Sequence, residues 1–129
     1  AELITDCGHC QLTDPVITDK MIFVRNWGNP YHGFLYALGR YTGDVLWHVE
    51  EHIISNVAVD EKTAYFLTAN AELVAVDIET GITVATLNFS PKFPDGFDFQ
   101  NTHFMVAAND DTVAAYFGDS RQLFLLSLK

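Results

Sequence analysis

Cys7-Gly8-His9-Cys10 is the densest cluster of reactive side chains in the sequence. Two thiols separated by two residues can close a local disulfide, exchange with another disulfide once one ionises, or supply half of a zinc site. Strong thiolate activation is usually helped by a helix N-terminus at the first cysteine, and Thr13-Asp14-Pro15 stands where that helix would run. Zinc would need further ligands from His9, His32, His48, His52 or His103, and no second C-x-x-C accompanies the first. Gln11 stands where a haem-attachment motif requires histidine. Metal, redox and plain structural readings of Cys7, His9 and Cys10 stay open, with a local disulfide or free thiols in a surface loop as the simplest.

Other candidate groups are more dispersed. Asp110-Asp111 and the pair Asp95 and Asp98 around Gly96 invite a cation, yet no D-x-[DN]-x-[DN]-G pattern brings several oxygens together. They read as solvated turn carboxylates. His48 and His52 would share a face only on a helix, and here they fall on a strand end and a loop. Residues 27–33, with Trp27, Tyr31 and His32, form an expected long aromatic insertion between strands, and residues 93–99, with Phe97, form a second. Such tips contact ligands when carried on a firm scaffold, or cover an exposed sheet face. No G-x-S-x-G, phosphate loop or dinucleotide fingerprint is present.

The chain that must position these groups has 129 residues, 49% of them hydrophobic and only 19% charged, enough apolar side chain to close a core. Seven Lys and Arg against 17 Asp and Glu give a formal charge of −10. This excess of acid argues against nucleic acid or an anionic membrane as partner, because both need a positive surface. No apolar run approaches the roughly 18 residues needed to span a bilayer, so membrane insertion is not expected. The chain opens on Ala1 without a charged-then-apolar leader. It reads as a processed protein or a piece of a longer one, and the repeats favour the piece.

Apolar residues come in runs of four to six, rich in Val, Ile, Phe and Tyr and separated by turn residues, which predicts strands. The first pass reads Val16-Ile17-Thr18, Met21 to Val24, Phe34 to Leu38 and Asp44 to Val49. A second reads Ile54 to Val59, Thr63 to Leu67, Glu72 to Asp77 and Ile82 to Leu87. Leu35-Tyr36-Ala37-Leu38 meets Leu73-Val74-Ala75-Val76, and Thr42-Gly43 meets Thr80-Gly81, at one offset of 38 residues. A third pass, Phe104 to Ala108, Thr112 to Phe117 and Gln122 to Leu126, stops one strand short. Four strands in about 40 residues is the measure of a propeller blade; a nonrepetitive sandwich is the alternative. The expected fold is all-β: a partial β-propeller of three blade-like repeats, at about 14–50, 51–89 and 100–128. Residues 1–13 then hold the CGHC loop and a strand able to complete the last blade of this or another copy.

The segments Leu35-Tyr36-Ala37-Leu38 … Thr42-Gly43-Asp44-Val45-Leu46-Trp47 and Leu73-Val74-Ala75-Val76-Asp77 … Thr80-Gly81 resemble the pyrroloquinoline-quinone-like (PQQ-like) repeat, of approximate consensus LYALDAKTGEVLW. Asp77 supplies the consensus Asp that Gly39 replaces in the first repeat, and Ala85 replaces Trp47 in the second. Cys7-Gly8-His9-Cys10 likewise resembles the active-site tetrapeptide of protein disulfide isomerases, without the thioredoxin-like βαβ context.

The PQQ-like resemblance implies a propeller found in quinone-dependent alcohol and glucose dehydrogenases, in outer-membrane assembly lipoproteins and in scaffolds without cofactor, so fold alone does not choose an activity. The leading expectation is a noncatalytic scaffold that binds a protein or small ligand, located outside the cytoplasm or at the cell surface. The rivals are a fragment of a quinoprotein oxidoreductase using PQQ with calcium, and a zinc or redox site at the C-x-x-C. No residue matches a quinone ligand, and no cofactor is expected. Three blades leave apolar faces in water, so further blades, in a longer chain or a second copy, are expected to cover them.

Overall fold

The computed structural model describes residues 11–12, 15–28, 32–93, 104–109, 111–117 and 122–127. The chain divides into two compact units, Ala1–Ile53 and Ile54–Lys129.

The first unit is one antiparallel sheet. Its strands are β1 (Gln11–Leu12), β2 (Val16–Ile17), β3 (Met21–Gly28), β4 (His32–Gly39) and β5 (Val45–Glu50). Strands β3, β4 and β5 pair in sequence, while β1 and β2 both lie along the other edge of β3. Leu12 pairs with Asn26 and Val16 with Phe23, so the two form one interrupted edge strand. Pro15 sits in the interruption, where a residue without N–H cannot extend the ladder. The segment before residue 14 thus contributes β1 to this sheet, an element the sequence reading had not assigned here. The expected insertion at 27–33 is also corrected. Trp27 pairs with Gly33 and Gly28 with His32, leaving only residues 29–31 between strands. Its glycines suggested a loop, but ladder bonds use only backbone and continue through them.

Alternation of side chains divides this sheet into two faces. Phe23, Leu35, Ala37 and Trp47 are buried on one, with the Phe23 and Trp47 rings 5.9 Å apart. Arg25 on the same face donates to the Ile53 carbonyl at 3.0 Å. Ile22, Val24, Tyr36 and Leu38 occupy the opposite face and are half-buried.

The second unit holds two antiparallel meanders. One runs β6 (Ala58–Val59), β7 (Thr63–Leu67), β8 (Glu72–Asp77), β9 (Thr83–Asn88); the other β10 (Phe104–Ala108), β11 (Thr112–Phe117), β12 (Gln122–Ser127). The expected strand from Ile54 to Val59 is regular only at Ala58–Val59. Upstream, the Ser55 hydroxyl accepts the Leu67 N–H at 2.8 Å, replacing a ladder bond with a side-chain bond. Strands β7 and β8 are buried on both faces, whereas all six residues of β9 are exposed.

One face of β6–β9 meets β10–β12 in a core of Tyr65, Leu67, Leu73 and Ala75 against Val106, Val113, Ala115 and Phe117. The connection between the sheets adds Phe89 and Phe93, which flank a short 3-10 turn at Ser90–Lys92. Phe117 lies edge-on to both, with centroids at 5.4 and 4.8 Å. Phe93, expected in an aromatic loop that either contacts a ligand or covers a sheet face, is a core residue; the rest of that loop, with Phe97, lies outside the described residues.

The repeat is written in hydrogen bonds as well as in sequence. Gly39 N–H donates to Asp44 O at 2.9 Å and Gly43 N–H to Gly39 O at 2.8 Å. Thirty-eight residues on, Asp77 N–H donates to Ile82 O at 2.9 Å and Gly81 N–H to Asp77 O at 2.8 Å. Gly43 and Gly81 take φ of 73° and 76°, the left-handed region where glycine alone is unstrained. Thr42 and Thr80 each accept the N–H two residues ahead at 3.2 Å. Both sheets shift register just before the turn, between Ala37 and Leu38 and between Ala75 and Val76. The inner hairpins repeat too, since Thr18, Asp60 and Asn109 each use a side-chain oxygen to accept the N–H three residues ahead.

Candidate functional site

Thr42, Gly43, Thr80 and Gly81 make the outer turns, Asp77 caps its own turn by accepting from Glu79 and Thr80 N–H at 2.8 and 3.1 Å, and Trp47 is buried. These six are structural positions. Trp27 and His32 lie at the far end of the β3–β4 hairpin. Cys7, His9, Cys10, Tyr31 and Phe97 fall outside the described residues. Asp111 lies in a turn whose amides bond to Asn109, while Asp110, Asp95 and Asp98 fall outside the described residues. Among the described residues no three His, Cys, Asp or Glu side chains converge as metal ligands.

One hollow combines polar chemistry. Glu61, Lys62, Asp77, Ile78 and Glu79 line an open depression of about 160 Å³ where the β6–β7 and β8–β9 turns meet. The Ile78 N–H donates to the Lys62 carbonyl at 3.0 Å and holds the turns together. Its size is below the roughly 300 Å³ at which small-molecule pockets begin. Sequence reading missed it, because Glu61 and Asp77 are 16 positions apart and only the sheet register joins them.

Among the described residues, two sheet faces carry half-buried or exposed apolar side chains. On β10–β12, Met105, Ala107, Ala114, Tyr116, Leu123 and Leu125 share the face opposite the core. These strands carry no Asp, Glu, Lys or Arg, so the face is uncharged, with Thr112 and Ser127 as its polar margin. On the first sheet, the face opposite Phe23 and Trp47 carries Ile22, Val24, Tyr36 and Leu38, with Ile17 and Val45 exposed at its margins. Phe34, Tyr36 and His48 cluster there, with ring centroids 5.8 to 6.1 Å apart. Contiguous apolar faces of this kind mark surfaces that meet protein segments, membranes or ligands. Among the described residues no helix is long and apolar enough to cross a membrane.

Comparison with known proteins agrees with this geometry. The sequence matches the family described as outer membrane protein assembly factor BamB over residues 5–90 and again over 31–123. A protein of Francisella salina with that description is 34% identical over 98 residues, covering 67% of this chain and 19% of its own. The chain thus spans about a fifth of that relative's length. The crystal structure of BamB from Moraxella catarrhalis superposes with a TM-score of 0.66 at 13% identity, over 88% of this chain and 30% of that one. A europium-containing methanol dehydrogenase gives 0.58 at 14% identity, over 91% and 25%. At such identities the likeness is one of fold: an all-β, partial propeller of three antiparallel blades, the last showing three strands among the described residues.

Proposed function

The chain belongs to the family of the outer membrane protein assembly factor BamB, and from that premise we propose that it is a noncatalytic propeller scaffold. It acts outside the cytoplasm by holding a protein partner during outer membrane protein assembly. The observation that carries this reading is the family match across nearly the whole chain, joined to apolar side chains exposed on sheet faces among the described residues. A scaffold needs fixed geometry, and the hydrogen-bonded turns repeated 38 residues apart supply it. Removing the protein from its cells should lower the amount of folded outer membrane protein, and restoring it should recover the loss. Unchanged outer membrane protein levels would overturn the reading.

The fold likeness to methanol dehydrogenase raises an oxidoreductase as the second reading. Among the described residues the donor set does not fit a quinone with calcium. Glu61, Asp77 and Glu79 are the carboxylates that share a hollow, and the Asp77 Oδ1 is already bonded to two turn amides. The scaffold reading expects no dye reduction with alcohols or aldose sugars after incubation with PQQ and calcium. Cys7 and Cys10 enter the proposal as a local disulfide or free thiols beside His9, so native mass spectrometry should find no bound zinc and insulin reduction should not be accelerated.

A further inference from the structure

Strand β9 ends the order β6-β7-β8-β9, and the phase of its ladder shows what its backbone offers on the far side. The Thr68 N–H donates to the Glu72 carbonyl at 2.9 Å, so Glu72 turns its backbone towards β7, and the Phe89 N–H donates to the Ala71 carbonyl at 2.7 Å. Antiparallel bonds alternate along a strand. With Leu73 opposite Leu87, Val74 opposite Thr86 and Ala75 opposite Ala85, this phase assigns the β8 ladder bonds to Leu87 and Ala85. The N–H and carbonyl groups of Thr86 and Asn88 therefore point away from β8, along the outer edge of the sheet.

This edge is open for a reason independent of how many blades the whole protein has. Blades stack through their faces, and the central residues of β7 and β8 are buried on both faces while β9, in the same blade, is exposed at all six residues. Covering the faces leaves the edge in water. Sheet edges are ordinarily guarded by charge, by Pro or by a bulge. At the equivalent positions of β5, 38 residues earlier, His48 and Glu50 stand where β9 has Thr86 and Asn88. Thr83-Val84-Ala85-Thr86-Leu87-Asn88 contains neither charge nor proline, and its Val84 and Leu87 are 59% and 43% exposed. The register shift opposite Ala75 and Val76 guards the start of the strand, and Thr86 and Asn88 lie beyond it.

We propose that β9 pairs, through Thr86 and Asn88, with an extended segment of another polypeptide, which adds a fifth strand to the β6–β9 sheet. The edge itself specifies the occupant. A row of alternating backbone donors and acceptors is matched by another extended backbone, whereas a helix has its own groups already bonded. The uncharged side chains of β9 suit an uncharged, β-branched strand, and the formal charge of −10 favours one flanked by Lys or Arg. The proposal gives the scaffold reading a partner chemistry and rests on that reading for the partner's being a protein.

The probe is the synthetic peptide Lys-Thr-Val-Thr-Val-Thr-Lys, titrated into the purified chain. Binding should slow hydrogen exchange at the Thr86 and Asn88 N–H and leave the Ala85 and Leu87 N–H, already bonded to β8, unchanged. Thr86→Pro removes a donor that β8 does not use, so the variant should keep the wild-type circular dichroism and raise the peptide's dissociation constant by about tenfold or more. The same peptide with Pro at its central Thr keeps its charge and should bind wild type about tenfold more weakly or worse. Absence of binding, or unaltered exchange at Thr86 and Asn88 with peptide bound, overturns the proposal, and the exchange readout decides even where Thr86→Pro fails to fold. Equal binding of the Pro peptide also overturns it, since the contact would then be one of charge alone. Outer membrane protein levels in cells, which test the scaffold reading, enter none of these measurements, so either reading can fail by itself.

Discussion

Asn56 and Val106 exchange two hydrogen bonds, the Asn56 amide donating to the Val106 carbonyl at 2.8 Å and its Oδ1 accepting the Val106 N–H at 2.9 Å. One side chain thereby acts as a strand rung across 50 residues of sequence and joins the first meander of the second unit to the innermost strand of the next. Val106 is buried, so neither of its backbone groups has water as a ready substitute.

Asn56→Ala should therefore cost about 1–3 kcal/mol, the range for leaving buried polar groups unpaired. Asn56→Asp should cost a similar amount, since it loses the donor and places a second acceptor before the Val106 carbonyl. Urea denaturation measures both. A change within experimental error would mean that the rung contributes nothing.

The outer turns predict unequal responses from three glycines. Gly43→Ala and Gly81→Ala should each lose about 1–2 kcal/mol, the penalty for a Cβ in the left-handed region. Gly39 fails by another route, because a Cβ there would stand 2.6 Å from the Thr42 Oγ1. The Gly39→Ala loss should shrink in a Thr42→Ala background, while the Gly43→Ala loss should persist. Thermal melts of the double-mutant cycle separate the two mechanisms.

Tyr65 links stability to alkaline pH. Its hydroxyl donates to the Asp60 Oδ2 at 3.2 Å, and burial, with the Asp60 charge adding to it, raises the phenol pKa above its usual 10.0. A folded pKa above the unfolded one stabilises fully below about pH 10 and loses that contribution as pH climbs through the folded value. Tyr65→Phe should cost about 1 kcal/mol near neutrality through the lost hydrogen bond. Above about pH 10 the wild type's advantage should narrow, read from urea midpoints across the alkaline range. Parallel pH profiles would disprove the linkage.

Ala71 is the non-glycine residue at positive φ, 61°, among the described residues, and its methyl is buried. Ala71→Gly relieves about 1 kcal/mol of backbone strain and forfeits about 0.8 kcal/mol of methyl burial, so the change should be nearly neutral. Ala75→Gly, in the middle of β8, has no strain to relieve and should destabilise by about 1–2 kcal/mol. Equal losses in the two variants would contradict the strain at Ala71.

Strand order and the outer turns were legible because their signals are local: apolar runs of matching length and a Thr-Gly pair at one offset. The Asn56 rung and the Glu61–Asp77 hollow were not, since both depend on a register between segments distant in sequence. The length of the β3–β4 hairpin was misread because glycine and proline report on allowed torsions, not on whether two backbones are already paired. Gly39 stands where the repeat favours Asp, and the structure adds that a Cβ there would come within 2.6 Å of the Thr42 Oγ1. The Cys7, His9 and Cys10 reading lies beyond the described residues.

The contrast between β8, buried at its four central residues, and β9, exposed at every residue, bears on how such a chain can change over generations. A substitution in Leu73-Val74-Ala75-Val76 meets packed neighbours on two sides, whereas one in Thr83-Val84-Ala85-Thr86 meets mostly water. Sequence drift has its freedom along the outer strand, and a blade can acquire new surface chemistry there while its inner strands keep the repeat recognisable.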